Sequence, residues 1–171
     1  MKGYVQVYTG NGKGKTTAGI GLAIRGAGAG LQVFVGQLLK EGNDSEIKAV
    51  SRFENITVEQ FGMGKFVRGT PSEKEIAAAR AGYARLCDIL TTGAHDLVIV
   101  DEGNVAVTCG LISEAEMLGL IAKKPENVEL VITGRGALPA VMERADLVTE
   151  MNEIKHYFHQ QGVAARRGIE K

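Results

Sequence analysis

The feature that most constrains this chain is a glycine-rich loop, Thr9–Thr17, which joins a strand pattern to a helix pattern. The loop reads Thr-Gly-Asn-Gly-Lys-Gly-Lys-Thr-Thr and follows the alternating segment Tyr4–Tyr8. Glycines at alternate positions let successive backbone N–H groups face one concavity at the positive end of a helix, where an anion is favoured. This order of strand, loop and helix predicts a site for a nucleoside triphosphate.

Individual side chains of the loop have predicted roles. Lys15 supplies a fixed positive charge, and Thr16 places a hydroxyl where such loops hold a magnesium ion that bridges the phosphates. The residues predicted to bind the nucleotide are Gly10, Asn11, Gly12, Lys13, Gly14, Lys15, Thr16 and Thr17. Thr9 stands where the usual pattern has glycine. A dinucleotide-binding fingerprint is excluded, because it would require glycine at position 15.

The rest of the chain alternates apolar runs with helix patterns. The runs are Val33–Val35 continuing into Gln37–Leu39, Leu97–Val100 and Val128–Thr133, with shorter candidates at Ile56–Val58 and Leu147–Val148. The helix patterns are Thr16–Ala27, Ser72–Thr91, Ser113–Lys123 and a weaker one after Leu138, and Ser113 opens a capping-box sequence. This alternation predicts an α/β fold with a mainly parallel, helix-covered sheet, in one domain spanning residues 1–171.

A second motif ends one of the apolar runs. Leu97–Val100 is followed directly by Asp101 and Glu102. In a phosphate-loop protein, an aspartate at the tip of a buried strand holds the metal opposite the loop threonine. The predicted metal ligands are therefore Thr16, Asp101 and Glu102, with magnesium, or manganese in its place, as the ion. Glu102 has three readings, as a second metal partner, a ribose contact or a base that activates water, and the alternative for the whole motif is a solvated strand end.

Arg135 lies between two glycines at the end of the run Val128–Thr133. Because the carboxyl ends of parallel strands meet in one crevice, Arg135 is a candidate contact for a nucleotide phosphate. The alternative is a tight turn that carries a surface arginine.

Composition sets the broad class of protein. The chain has 20 lysines and arginines against 20 aspartates and glutamates, so its formal net charge is zero. This balance predicts no general attraction to nucleic acid or to a membrane. Its two cysteines, Cys87 and Cys109, lack metal-ligand spacing. With no apolar run of about 18 residues and a first strand that starts without a leader pattern, a reduced, cytoplasmic protein is expected.

Several motifs together resemble the ATP:corrinoid adenosyltransferases of the cob(I)alamin type. They are Thr9–Thr17, Gln37-Leu38-Leu39-Lys40, Val100-Asp101-Glu102, Thr133-Gly134-Arg135-Gly136 and a tail with Glu150-Met151, Lys155-His156 and Gly168-Ile169. The resemblance implies a P-loop NTPase-like (RecA-like) three-layer fold. It also implies that the chain transfers the 5′-deoxyadenosyl group of ATP to the cobalt(I) of a corrinoid, with release of inorganic triphosphate, in adenosylcobalamin synthesis or salvage.

The resemblance adds expectations about the site and its partners. Lys15 and Glu102 are the expected catalytic residues, with ATP as co-substrate and a divalent ion as cofactor. An electron-donor protein or a flavin reductant is the expected source of cobalt(I), and a homodimer is expected. Members of the family carry a tryptophan-containing segment against the lower face of the corrin, whereas this chain has no tryptophan and has Gly62–Phe66 there. Phe66 is the first candidate for that contact and Phe61 the second.

Two other functions compete with this one. A phosphate-loop ATPase could act as a switch or motor, with Glu102 activating water and ADP and phosphate as products. A non-enzymatic, ATP-dependent binding module would turn over no ATP at all. The products of ATP turnover distinguish the three, and the absence of an Asn-Lys-x-Asp motif argues against a GTPase.

Overall fold

A computed structural model describes residues 2–42, 44–64 and 69–170 of the chain. Within those ranges, six strands form one sheet. They are β1 (Val5–Thr9), β2 (Val33–Gln37), β3 (Ile56–Gln60), β4 (Leu97–Asp101), β5 (Glu129–Thr133) and β6 (Leu147–Glu150). All pairings are parallel and the strand order is β3-β2-β4-β5-β1-β6. The predicted parallel sheet is confirmed, although β2 ends at Gln37 and does not continue through Leu39.

Helices follow most of the strands. They are α1 (Lys15–Gly28), α2 (Ser45–Val50), α3 (Glu73–Thr92), α4 (Gly103–Thr108), α5 (Glu114–Lys123), α6 (Pro139–Arg144) and α7 (Tyr157–Gln161). The four predicted helices correspond to α1, α3, α5 and α6. Both α3 and α5 begin with complete capping boxes, at Ser72 and Ser113 respectively. The sequence did not predict α2 and α4, which are too short to show a helical period.

Two apolar cores lie on opposite faces of the sheet. Successive strand residues point to opposite faces, so Phe34 packs into one core while Val33 and Val35 pack into the other. The first core also receives α3, α5 and α6, and the second receives α1 and α2. Helices therefore cover both faces, which is the three-layer α/β arrangement expected from the sequence.

The pairing of the strands brings four loops to the same edge of the sheet. Gln37 at the end of β2 pairs with Asp101 at the end of β4. Val100 pairs with Ile132, so Asp101 and Thr133 end neighbouring strands. The loop after β1 lies beyond β5, since β1 pairs with β5 on one side and β6 on the other. The carboxyl ends of these strands are where ligands bind in folds of this class.

Two further observations concern the rest of the described chain. None of its helices combines the length and the apolar character needed to cross a membrane. Both cysteine thiols are free, with Cys87 buried and Cys109 partly buried. Cys87 is part of the core on the α3 side of the sheet, where it packs as a small apolar side chain.

Candidate nucleotide site

The glycine-rich loop runs directly into the amino end of α1. Gly14 is the residue that precedes the helix, and its φ of 110° lies in the region that favours glycine, as does the φ of 91° at Gly10. The Lys15 side chain is buried, with 7 % of the residue exposed, and its Nζ donates to the Gly12 carbonyl oxygen at 2.6 Å. Lys15 thus bends back over the loop, with its ammonium inside the concavity that the loop encloses.

Asp101 is the centre of the polar network at this edge of the sheet. Its carboxylate is almost fully buried and accepts hydrogen bonds from the Thr16 hydroxyl at 2.8 Å and the Thr133 hydroxyl at 2.7 Å, both at Oδ1. Gln37 Nε2 donates to the other oxygen, Oδ2, at 2.8 Å. Thr16, from the start of α1, is therefore brought together with the acid at the end of β4, as the two motifs predicted.

A lysine that follows β2 adds a positive charge to the network. Lys40 Nζ lies 3.5 Å from Asp101 Oδ2, 3.3 Å from Glu46 Oε1 and 3.7 Å from Asp44 Oδ2. Burial opposes its charge, but the carboxylates of Asp101 and Glu46 outweigh that effect and raise the pKa of Lys40. The ammonium is therefore held beside Asp101 by acids on two sides.

Glu102 adopts an unusual backbone conformation beside this network. Its φ is 59°, in the left-handed region, at the start of α4. Its backbone N–H donates to the Thr133 hydroxyl oxygen at 3.0 Å, which fixes the turn. Burial and the charge of Asp101 raise the pKa of the Glu102 carboxyl, while the cations Lys40, Lys15 and Arg135 act in the opposite direction. Glu102 thus lies within the electrostatic reach of three cations.

The loop after β5 carries Arg135 to the surface of the same edge. Asn104 Nδ2 donates to the Gly134 carbonyl oxygen at 3.2 Å, which ties this loop to α4. Gly134 has a φ of 126°, and a Cβ there would lie 3.1 Å from the Val105 nitrogen, so only glycine fits. Arg135 is exposed, and its charge helps burial to lower the pKa of Lys15. Arg135 and Lys15 therefore lie within electrostatic reach of each other.

Other residues predicted for the site have surroundings that differ from those of Asp101. Asn11 and Thr17 are exposed. The Lys13 side chain extends to the tail of the chain, where its Nζ lies 2.7 Å from Glu170 Oε1. The ring of Phe61 packs over Gly82 of α3, where an added Cβ would approach its Cγ to 2.6 Å, so its contacts are those of a packing residue. Phe66 lies outside the described residues.

The sequence did not assign roles to several polar residues of the network. These are Gln37, Lys40, Asn104 and Thr133, which contact Asp101 or the loop after β5. Each follows or ends an apolar run, which is a usable signal because the carboxyl ends of parallel strands gather at one edge. That signal becomes specific only when the order of the strands is known.

The described residues fit a divalent ion of the phosphate-loop kind. They contain no cluster of three or more histidines, cysteines and acids that would form a cage made of protein ligands alone. Magnesium at such sites keeps several waters and binds one or two side chains together with phosphate oxygens. The Thr16 hydroxyl and the Asp101 carboxylate, 2.8 Å apart, would supply such a pair of oxygen ligands.

A phosphate loop lies between β1 and α1, an acid ends β4, and β5 lies between β1 and β4 in the sheet. This arrangement defines the class of P-loop NTPase-like proteins. One solved structure with this fold is the second and third ATPase domains of EssC from Geobacillus thermodenitrificans. Its TM-score is 0.50 at 14 % identity, over 98 % of this chain and 36 % of that one, so the likeness concerns the fold alone.

The family follows from sequence comparison. A sequence model of the family described as ATP:corrinoid adenosyltransferase BtuR/CobO/CobP matches residues 1–170, and the chain belongs to that family. The corrinoid adenosyltransferase of Pseudomonas aeruginosa is 34 % identical over 99 % of this chain and 84 % of its own length. That of Escherichia coli K12 is 31 % identical over 99 % and 86 %, respectively. The resemblance seen in the sequence motifs is confirmed.

Proposed function

We propose that this chain transfers the 5′-deoxyadenosyl group of ATP to the cobalt(I) of a corrinoid, in adenosylcobalamin synthesis or salvage. The cobalt electron pair forms a bond to C5′ of ATP while the bond from C5′ to the phosphate oxygen breaks, and inorganic triphosphate leaves with that oxygen. The observation that carries the proposal is the contact between Thr16 and Asp101 beside the phosphate loop, in a chain that belongs to the adenosyltransferase family.

The site is suited to a reaction that needs positioning and charge neutralisation rather than proton transfer. Cobalt(I) is a nucleophile without a proton to lose, so no paired acid and base are required. Lys15 and the backbone N–H groups at the start of α1 would hold the departing triphosphate, and the positive charge of Arg135 acts on Lys15. Holding the two reactants in line contributes on general grounds about 7–11 kcal/mol to lowering such a barrier.

Magnesium, or manganese in its place, is the cofactor we propose. Thr16 and Asp101 would hold it, and when bound it would neutralise charge on the triphosphate. The place of Glu102 in this scheme is as a second metal partner or a contact to the ribose. Its position within reach of Lys15, Lys40 and Arg135 supports a role in the charge balance of the site.

The proposal extends to the setting in which the protein works. The chain would act as one domain, in the cytoplasm and as a homodimer, with an electron-donor protein or a flavin supplying the electron that makes cobalt(I). Two free thiols are suited to a reducing compartment, and the zero net charge is consistent with partners other than nucleic acid. Light scattering of the purified protein would measure its mass against the 18.2 kDa of one chain.

Analysis of the products tests the reaction. Incubation with ATP, magnesium and a chemically reduced corrinoid is expected to yield inorganic triphosphate and a light-sensitive, adenosylated corrinoid in equal amounts. ADP and phosphate as the stoichiometric products would instead identify a hydrolase in which Glu102 activates water. No turnover, with ATP still bound, would identify a binding module. Omitting the corrinoid is the control, because a transferase then consumes no ATP.

A further inference from the structure

The C-terminal segment of the chain holds a side chain of the phosphate loop. Lys13 Nζ lies 2.7 Å from Glu170 Oε1 and 2.8 Å from the Tyr157 hydroxyl oxygen. Arg166 binds the same carboxylate through its backbone N–H at 2.8 Å and through Nη2 at 3.1 Å, and Tyr157 is hydrogen-bonded to it as well. Tyr157, Arg166 and Glu170 are called the C-terminal clamp below.

A second tie joins the loop to the residue that follows β6. The Gly12 N–H donates to the Met151 carbonyl oxygen at 2.6 Å, and the Met151 N–H donates to the Thr9 carbonyl oxygen at 2.9 Å. A Cβ at Gly10 would lie 2.4 Å from that Met151 oxygen, so the two segments are in backbone contact. The Gly12 N–H is therefore committed to the tail segment. The loop therefore contacts this segment at Gly10 and at Gly12, on both sides of Asn11.

The charges of the clamp favour a lasting ion pair. Hydrogen bonds from Arg166, Lys13 and Tyr157 hold the pKa of the Glu170 carboxyl far below its usual range. Hydrogen bonds to Glu170 and Tyr157 raise the pKa of Lys13. The Glu170 side chain is 15 % exposed, against 43 % for Lys13. Glu170 is thus held in place by residues of its own segment, and it in turn holds the Lys13 ammonium.

We propose that Glu170 is a positioning residue of the nucleotide site, acting through Lys13 to hold the phosphate loop in its binding shape. This inference rests on the proposed function, because it assumes that ATP binds in the loop. It assigns the Lys13 side chain to the support of the loop rather than to the triphosphate. The opposite arrangement is that Lys13 binds phosphate and that Glu170 competes for it.

The two arrangements predict opposite effects of one substitution. If Glu170 positions the loop, Glu170→Gln weakens Mg-ATP binding, by about threefold to fivefold for a partly exposed charge pair. If Glu170 competes with the triphosphate, the same change tightens binding. Lys13→Met weakens binding in both cases. The positioning role also predicts that the double variant binds ATP no more weakly than either single variant, because the two residues act as one unit.

The experiment is calorimetric titration of Mg-ATP into the full chain and its variants. Lys13→Arg, which keeps the charge and the donors, is expected to retain wild-type affinity. Glu153→Gln is the matched control, since Glu153 is a carboxylate of the same segment that pairs with His159 at 3.5 Å. It should leave the affinity unchanged. Thermal unfolding without nucleotide establishes that each variant is folded.

A kinetic measurement separates positioning of the loop from a general loss of structure. Glu170→Gln is expected to raise the KM for ATP by the factor found in calorimetry and to leave kcat and the KM for the corrinoid unchanged. Equal or tighter ATP binding by Glu170→Gln overturns the inference alone. A wild-type chain that does not bind Mg-ATP overturns the proposed function, and the inference with it.

Discussion

Lys15 shows how the site prepares a charge for a ligand. Its Nζ is bound to the Gly12 carbonyl oxygen and is largely shielded from water. Burial lowers its pKa, and so does the positive charge of Arg135, whereas Glu102 acts in the opposite direction. An anion that enters the loop would meet two cations whose mutual repulsion it relieves. The charge of Lys15 is therefore better satisfied with a triphosphate present than without one.

The first prediction at this scale concerns Lys15 itself. Lys15→Ala is expected to weaken Mg-ATP binding by about 2–3 kcal/mol, since it removes a charged donor from a shielded site. Calorimetry measures the loss, and thermal unfolding without nucleotide shows whether the fold survives. Lys123→Ala makes the same chemical change at an exposed position at the end of α5 and should have no effect. Unchanged affinity in Lys15→Ala would show that the triphosphate binds elsewhere.

The sequence could identify some residues of the site and not others, for a physical reason. Lys15 and Thr16 stand out because a phosphate loop fixes their spacing along the chain, and Asp101 stands out because it ends an apolar strand. Thr133 and Gln37 contact Asp101 only because β4 lies between β5 and β2. That order is set by the packing of the whole sheet, which no local pattern encodes.

At the scale of the secondary-structure elements, local capping signals account for where α3 and α5 begin. Ser113 accepts a hydrogen bond from the Glu116 N–H at 3.2 Å, and the Glu116 carboxylate accepts one from the Ser113 N–H at 2.6 Å. Both partners lie within four residues of sequence, so the pattern predicted the start of α5. By contrast, α4 begins at Gly103, directly after Glu102, whose backbone lies in the left-handed region and whose N–H donates to the Thr133 hydroxyl on β5.

A prediction follows for the capping box of α5. Ser113→Ala is expected to lower the free energy of unfolding by about 1 kcal/mol, and Ser113→Asp, which keeps an acceptor, by much less. The backbone hydrogen bond from Ser113 lowers the pKa of the Glu116 carboxyl below 4.5. This part of the stability is therefore present at neutral pH and lost as the pH falls through that lowered pKa. Urea unfolding at neutral and acid pH, with wild type alongside, measures both effects.

At the scale of the whole molecule, the two ends of the parallel strands have different surroundings. The edge where the strands end carries the polar network around Asp101. At the other edge, His95 lies just before β4, with its ring 5.5 Å from the ring of Phe34 in an edge-on contact. Its Nδ1 is buried and has no hydrogen-bond partner among the described residues. Burial, followed by the charge of Arg85, lowers the pKa of His95.

That environment predicts a dependence of stability on pH. Because the pKa of His95 is lowered in the folded chain, the unfolded chain takes up a proton there first, as the pH falls below about 6.5. Stability is therefore full above that pH and declines as the pH falls toward the lowered pKa of the folded state. His95→Gln should reduce the difference between the unfolding free energies at pH 7.5 and pH 5.5. His159→Gln, which changes an exposed ring, should leave it; an unaltered slope in His95→Gln would contradict the assignment.

The position of β1 in the sheet affects the order in which contacts form during folding. Val5 pairs with Leu130 and Gln6 with Leu147, so the first strand finds its partners among the last. During synthesis, β1 has no strand to pair with until β5 has emerged. The contacts of the glycine-rich loop with Met151 and Glu170 form later still, because those residues follow β5 in the chain. Such distant pairings form late in folding. The loop is therefore expected to reach its full affinity for nucleotide only after the segment that contains Met151 and Glu170 has packed against it.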